Sequence, residues 1–281
     1  MRVGFSNEII TVEADTRGAE LVSIVCGGKE RLWQNGSGEW SGHAPILFPV
    51  CGKCAVRLNG KEYDPGRHGF ARVSEFSLTE QRKNAVCFEL KSSAETKSGY
   101  PFEFVFRVRY SLTGARLRIV YEVENPADEV LYFSCGAHES FALEHPLGEY
   151  ELRFSRKESF SSLLHDGNGQ LTGETVELGE GTCLPLPEEF LTEGRTVIFK
   201  DLRSRSLWLC EKNGKTLAKV SWGGFPNLLL WRAGTAPFLC IEPWHNLPDD
   251  DQAVEFSERE GIIALPPHET MRFTREIVYF I

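Results

Sequence analysis

Hydrophobic and polar residues alternate with a period of two along much of this chain. Residues 103–112 place Phe104, Phe106, Val108, Tyr110 and Leu112 on one face and Arg107, Arg109 and Ser111 on the other. Side chains alternate across a strand, so the stretch predicts a half-buried strand. Thr113-Gly114 supplies a turn, and residues 116–123 repeat the pattern with Leu117, Ile119, Tyr121 and Val123 inward. The two stretches predict an antiparallel hairpin. Asn213-Gly214, a pair suited to a type I′ turn, predicts a second hairpin joining 207–210 to 217–222. Further strands are expected at 2–5, 8–14, 20–25, 74–80, 85–91, 130–135, 150–155, 196–200, 227–232, 237–242 and 270–280. Short helical turns are expected near 160–165 and 187–192. The segment 165–195, rich in Gly, Pro, Thr and Glu, reads as long loops.

No long stretch sustains the 3.6-residue period of a helix. Many strands without intervening helices predict an all-β fold, a large antiparallel sandwich with few short helices. There is neither a linker nor a repeat of fixed period, so residues 1–281 read as a single domain.

Charge then removes whole classes of partner. With 31 basic and 40 acidic residues, the net charge is −9. Phosphate backbones and anionic lipid surfaces attract clustered Lys and Arg, so neither nucleic acid nor a membrane is expected as a partner. No apolar leader and no run of 18 apolar residues is present. The eight cysteines lie scattered in apolar contexts such as Val86-Cys87-Phe88. They read as free buried thiols of a cytoplasmic protein.

Three segments carry candidate chemistry. In Pro65-Gly66-Arg67-His68-Gly69-Phe70-Ala71-Arg72, a histidine and an arginine flank Gly-Phe. Glycine permits tight turning beside a ligand, and arginine offers a planar donor fork. Taken alone, this is a solvated loop with a casual histidine. In the second segment, the apolar run Val130-Leu131-Tyr132-Phe133 leads through small residues to His138, with Glu139 next to it. Histidine titrates near neutrality and suits general acid work, although a core histidine satisfied by backbone fits this segment equally well. Consecutive strand residues face opposite ways, so Glu139 is expected to point away from His138.

In the third segment, Phe238, Cys240 and Glu242 share one face of an apolar strand, followed by Pro243 and Trp244. A carboxylate there is costly to bury unless paired or used, and burial makes it a better base. The alternative is a strand exit into water, but function is the stronger reading. Trp244 is a candidate stacking surface for a pyranose.

Other signals fall away. Cys51-Gly52-Lys53-Cys54 is a single C-x-x-C, short of four zinc ligands. Asp166, Asn168, Gln170, Thr172, Glu174 and Glu177 mimic a calcium loop but place Leu171 where glycine is needed. Asp249-Asp250-Asp251 reads as a solvated turn. No phosphate-cradling glycine motif and no nucleophile elbow occurs, and no cofactor or metal is expected.

The three segments, in this order, resemble the aldose 1-epimerase (mutarotase) family, and in particular its branch of small LacX-like bacterial proteins. The resemblance extends over nearly the whole chain. Gly18-Ala19-Glu20-Leu21, Arg31-Leu32-Trp33, and Trp40 with Ala44-Pro45-Ile46-Leu47-Phe48-Pro49 are similar to the family's early signatures, and His68-Gly69-Phe70-Ala71-Arg72 to its most specific motif. It implies a sandwich of the galactose mutarotase type that interconverts the α and β anomers of an aldose. Glu242 would then be the base at the anomeric hydroxyl and His138 the acid at the ring oxygen. His68 and Arg72 would orient hydroxyls, with Phe70 and Trp244 beside the sugar, and Asp201 aligns loosely with a substrate-binding aspartate.

Glu139 stands where the branch usually has proline, and Asn246 where it often has glycine. Two other functions fit the same residues. One is a hexose-6-phosphate mutarotase using Arg72, Arg31 and Lys53; the other is a non-catalytic sugar-binding protein. A small-molecule sugar is the expected partner, and the protein is expected to be a monomer or homodimer.

Overall fold

The computed structural model describes residues 1–36, 38–191, 195–250 and 254–281. Its main body is a continuous antiparallel sheet. The path runs through strands Ile46–Leu47, Gly136–Ala137, Phe238–Trp244, Asn227–Trp231, Val197–Phe199, Tyr150–His165, Ser206–Glu211, Thr216–Trp222, Thr270–Tyr279, Arg116–Glu124, Val105–Thr113, Ala85–Lys91 and Ser77–Arg82. Glu139–Ala142 also pairs with Phe238–Trp244, and Leu171–Pro185 with Tyr150–His165. A smaller sheet, Arg2–Ser6, Ile10–Asp15, Leu21–Cys26 and Lys29–Glu30, completes the all-β sandwich.

The strongest alternations in the sequence give the core. Val105–Thr113 and Arg116–Glu124 pair with Leu112 opposite Leu117, Tyr110 opposite Ile119 and Val108 opposite Tyr121. All six of these side chains are buried. Such cross-strand apolar pairs are the stabilising unit of a sheet. On the other face, Arg107 binds three carboxylates, those of Glu89, Glu122 and Glu124. The Asn213-Gly214 hairpin also forms, between Ser206–Glu211 and Thr216–Trp222.

Two expectations are corrected. Residues 160–165 are not a helical turn, and 165–195 are not mainly loop. Tyr150–His165 and Leu171–Pro185 form one long hairpin instead. Leu171–Pro185 is an edge strand with mostly exposed side chains, so it lacks the apolar alternation that marks a core strand. Gly173, Gly179 and Gly181 adopt positive φ, and the pairing shifts register along the hairpin. Bulged edges of this kind use glycine and glutamate where a core strand uses valine. The short 3-10 turn Glu188–Leu191 matches the expected helical turn; residue 192 lies outside the described residues.

A helix at Ala94–Gly99, unmarked by periodicity because it is only six residues long, starts at a capping box of Ser93 and Thr96. All eight cysteines are unpaired thiols. Seven are buried, but Cys183, on the edge strand, is exposed. No helix among the described residues is long and apolar enough to cross a membrane.

Candidate functional site

The two halves of the candidate site are cross-strand neighbours. Gly136 pairs with Trp244, and Glu139 pairs with Ile241. The same register on either side sets His138 opposite Glu242. Opposite residues of an antiparallel pair bring their side chains together. His138 Nε2 lies 3.3 Å from Glu242 Oε2, and both residues are buried, at 8% and 2% exposure.

Aromatic rings frame the histidine. Trp40 stacks on it with centroids 5.1 Å apart, and Trp231 meets it edge-on at 5.5 Å. His68 stands edge-on to both His138 and Trp244, at 5.6 and 5.3 Å. The Trp244 indole donates to the carbonyl of Ala137 at 3.2 Å and fixes this floor to the strand that carries His138.

Backbone constraints hold the His68 loop. His68 takes a positive φ of 66°, and its Nδ1 accepts from the Gly52 amide at 3.1 Å. That acceptor role leaves the ring proton on Nε2. Gly69, also at positive φ, passes so close to Phe48 that a Cβ there would lie 2.1 Å from the Phe48 carbonyl oxygen. Asn246, buried, secures the partner loop. Its side chain accepts from the Cys51 amide at 2.8 Å and donates to the Cys51 carbonyl at 3.0 Å. This amide clip ties the Cys51 loop to the end of Phe238–Trp244.

Burial sets the protonation of the pair. It lowers the His138 pKa to about 3 and raises that of Glu242 well above the carboxylate range. Desolvation is the main cause for both groups, and the nearby Glu139 carboxylate adds to the rise at Glu242. A neutral imidazole beside a protonated carboxyl carries the same number of protons as an imidazolium beside a carboxylate. The two forms are tautomers of one coupled pair. Glu242 Oε1 and His138 Nδ1 are buried with no hydrogen bond, leaving capacity for oxygen atoms of a ligand.

Glu139 faces the other way, as alternation requires. It is buried against Arg275, with Glu139 Oε2 accepting from Arg275 Nη1 at 2.8 Å and a second contact to Nη2. The Tyr121 hydroxyl accepts from the same guanidinium at 3.0 Å.

The remaining candidates divide. Arg72 is exposed near the cluster, and its charge bears on both His68 and His138. Phe70 packs against the core rings Phe48, Tyr100 and Phe104. Apolar area is better buried among those rings than at a polar site. On its outer side Phe70 borders a cleft of about 630 Å³, shared with Asp64, Val73 and Glu75, to which neither His138 nor Glu242 contributes. Asp201 is exposed at a positive-φ turn after Val197–Phe199, outside the ring and hydrogen-bond contacts of the His138–Glu242 cluster.

Arg31 is also removed from the site. Its guanidinium binds the carbonyls of Cys26 and Phe280. The calcium-like run is a hairpin turn in which Asp166 Oδ1 accepts from the amides of Asn168 and Gln170. Asp249 is not merely solvated, because it pairs with Arg259 and accepts from the Ala55 amide. Residue 251 lies outside the described residues.

Three side chains escaped the sequence reading of the site. Trp231 walls His138, and Arg67 bears electrostatically on His68, His138 and Glu242. Cys240 lies with His138 and Glu242 so that one donor atom from each falls within 4.8 Å of the others. Only the cysteine had a legible signal, its alternation with Glu242. Of these residues, His138, Cys240 and Glu242 have the donor set that could hold a metal.

The aldose 1-epimerase sequence profile matches residues 1–260. The chain belongs to the aldose 1-epimerase family. The chromosomal Protein LacX of Lactococcus lactis subsp. lactis is 35% identical over 266 residues, which cover 88% of each chain. The crystal structure of a galactose mutarotase-like protein from Lactobacillus casei superposes with a TM-score of 0.93, at 26% identity and full coverage of both chains. That of a galactose mutarotase related enzyme from Lactobacillus acidophilus superposes with a TM-score of 0.91, at 26% identity, covering 100% of this chain and 98% of the other. The all-β sandwich is therefore of the galactose mutarotase type.

Proposed function

We propose that the protein is an aldose 1-epimerase, with residues 1–281 acting as one domain, and that Glu242 and His138 are its base and acid. The observation that carries this reading is their cross-strand contact of 3.3 Å beside two buried polar atoms, Glu242 Oε1 and His138 Nδ1, that have no hydrogen-bond partner. The two sugar oxygens to be served, the anomeric O1 and the ring O5, are bonded to one carbon. A base and an acid that serve them must therefore stand side by side.

In the reaction, the Glu242 carboxylate takes the O1 proton while the His138 imidazolium gives a proton to O5, and the C1–O5 bond breaks. The open aldehyde then lies against a neutral pair, the form that burial favours. Rotation about C1–C2 presents the other carbonyl face. His138 recovers its proton as O5 attacks, and Glu242 returns its proton to O1. Trp40 and Trp231 are the walls, and His68 and Arg72 orient hydroxyls over Trp244. The chemistry asks for no redox partner, metal or nucleotide.

Exchange NMR between anomeric protons of free aldoses tests the reading. Glu242→Gln should fold with an unchanged circular dichroism spectrum and lose roughly 10²–10⁴-fold in exchange rate, as should His138→Gln. Wild-type turnover in Glu242→Gln would refute the assignment.

A second reading, a phosphorylated aldose, has its own support. Arg67 and Arg72 flank the site without a carboxylate partner among the described residues, while Arg107, Arg272 and Arg275 are all paired. Lys53 is exposed on the loop that binds His68. Unpaired guanidinium groups suit a phosphate. On this reading Arg67→Ala raises KM for glucose 6-phosphate at least about tenfold relative to glucose. Equal effects on both sugars would remove the phosphate from consideration.

A further inference from the structure

The catalytic pair does not account for Cys240. Its side chain is fully buried and projects from the same face of Phe238–Trp244 as Glu242, two residues earlier. With His138 on the adjacent strand, the three residues present one nitrogen, one sulfur and one oxygen donor, all within 4.8 Å of one another. The His138–Glu242 edge is already 3.3 Å. Donors around a tetrahedral zinc ion stand roughly 3.3–3.8 Å apart, so closing this triangle on one ion asks for shifts of only about 1 Å. Glu242 is 2% exposed, and its Oε1 has no partner. The Cys240 thiol likewise makes no hydrogen bond among the described residues, whereas the Cys135 and Cys51 thiols contact His245 and Ser134.

We propose that His138, Cys240 and Glu242 form a binding site for one thiophilic divalent cation, zinc by its donor chemistry, and that this cation and the sugar exclude each other. Binding forms a metal–sulfur bond and releases two protons to solvent, the thiol's and the one held by the His138–Glu242 pair, with the neutral imidazole and the carboxylate as the other ligands. Water takes the fourth position. The exclusion follows because the ligating imidazole and carboxylate are the groups that would otherwise serve O5 and O1. Magnesium and calcium, which prefer all-oxygen sites, do not compete. Only the exclusion of sugar rests on the acid–base roles proposed above; the binding of the cation does not.

The test uses the full chain, freed of metal with a chelator. Cobalt(II) serves as a spectroscopic probe, and zinc is titrated by calorimetry. One equivalent of cobalt should produce a thiolate charge-transfer band that survives Cys183→Ser, which removes the exposed thiol, but disappears in both Cys240→Ala and Cys240→Ser. Zinc should bind at least about tenfold more weakly to Cys240→Ala. Added aldose should weaken zinc binding to the wild type, and zinc should slow anomer exchange until chelator restores it, while magnesium does neither.

A band absent from the wild type, or one that persists in Cys240→Ala, overturns the site. Zinc affinity indifferent to sugar overturns the exclusion. Failure of the catalytic reading would appear separately, as an absence of exchange before any metal is added.

Discussion

His138 and Glu139 are consecutive, yet the strand sends one to the candidate site and the other into the core. The Glu139–Arg275 pair lies beside the residue that faces Glu242, with both of its members almost wholly buried. Removing one partner of a buried pair leaves a charge with no solvent and no counterion. Glu139→Ala is expected to lose about 3–5 kcal/mol in urea unfolding, and Glu139→Met combined with Arg275→Met much less. Equal losses would show that the pair is not a coupled unit. At this scale the sequence was informative where local chemistry was unusual. A carboxylate on an apolar strand marked Glu242, and small residues before a histidine marked His138. Arg67, Trp231 and Asn246 carry no such local mark, because their relation to the site is created by contacts distant in sequence. Phe70 shows the converse, since His68 two residues earlier meets the His138 ring while the Phe70 ring packs on the core.

The elements show the same division. Core strands such as Val105–Thr113 were legible because one face is buried and the other is not. The hairpin Tyr150–His165 with Leu171–Pro185 was only half legible, because its outer strand has no buried face to write an alternation into the sequence. The cross-strand meeting of residues 138 and 242 depends on register, which pairing partners set jointly. The His68 loop depends on backbone shape. Gly69→Ala would force a Cβ against the Phe48 carbonyl in a conformation that L-residues avoid. We expect more than about 1 kcal/mol of destabilisation. Anomer exchange should fall with it, because Gly69 adjoins His68. A Gly69→Ala variant with native melting temperature and native exchange would show that the loop has slack.

Across the whole molecule, buried histidines make stability depend on acidity. His245 is packed between Phe225 and Phe273, each with its centroid 4.4 Å away, and its Nδ1 lies 3.0 Å from the Cys135 carbonyl. Burial lowers its pKa to about 4, against about 6.5 in an unfolded chain. Between those values the unfolded chain binds the proton and the folded protein does not. The contribution is therefore complete above about pH 6.5 and is lost as pH falls towards 4, a change of about 3 kcal/mol. His68, also lowered by burial, acts in the same direction. Urea unfolding at pH 7 and pH 4 should show the fall, and His245→Gln should reduce its slope; an unchanged slope would remove His245 as the source.

The order of the strands has a further result for the protein during its synthesis. Thr270–Tyr279 lies between Arg116–Glu124 and Thr216–Trp222, and it also delivers Arg275 to Glu139. A ribosome that has not yet released residue 270 thus displays two ribbons with raw, apolar-lined margins and an uncompensated acid between them. The nascent chain must be kept from its neighbours until that keystone strand emerges.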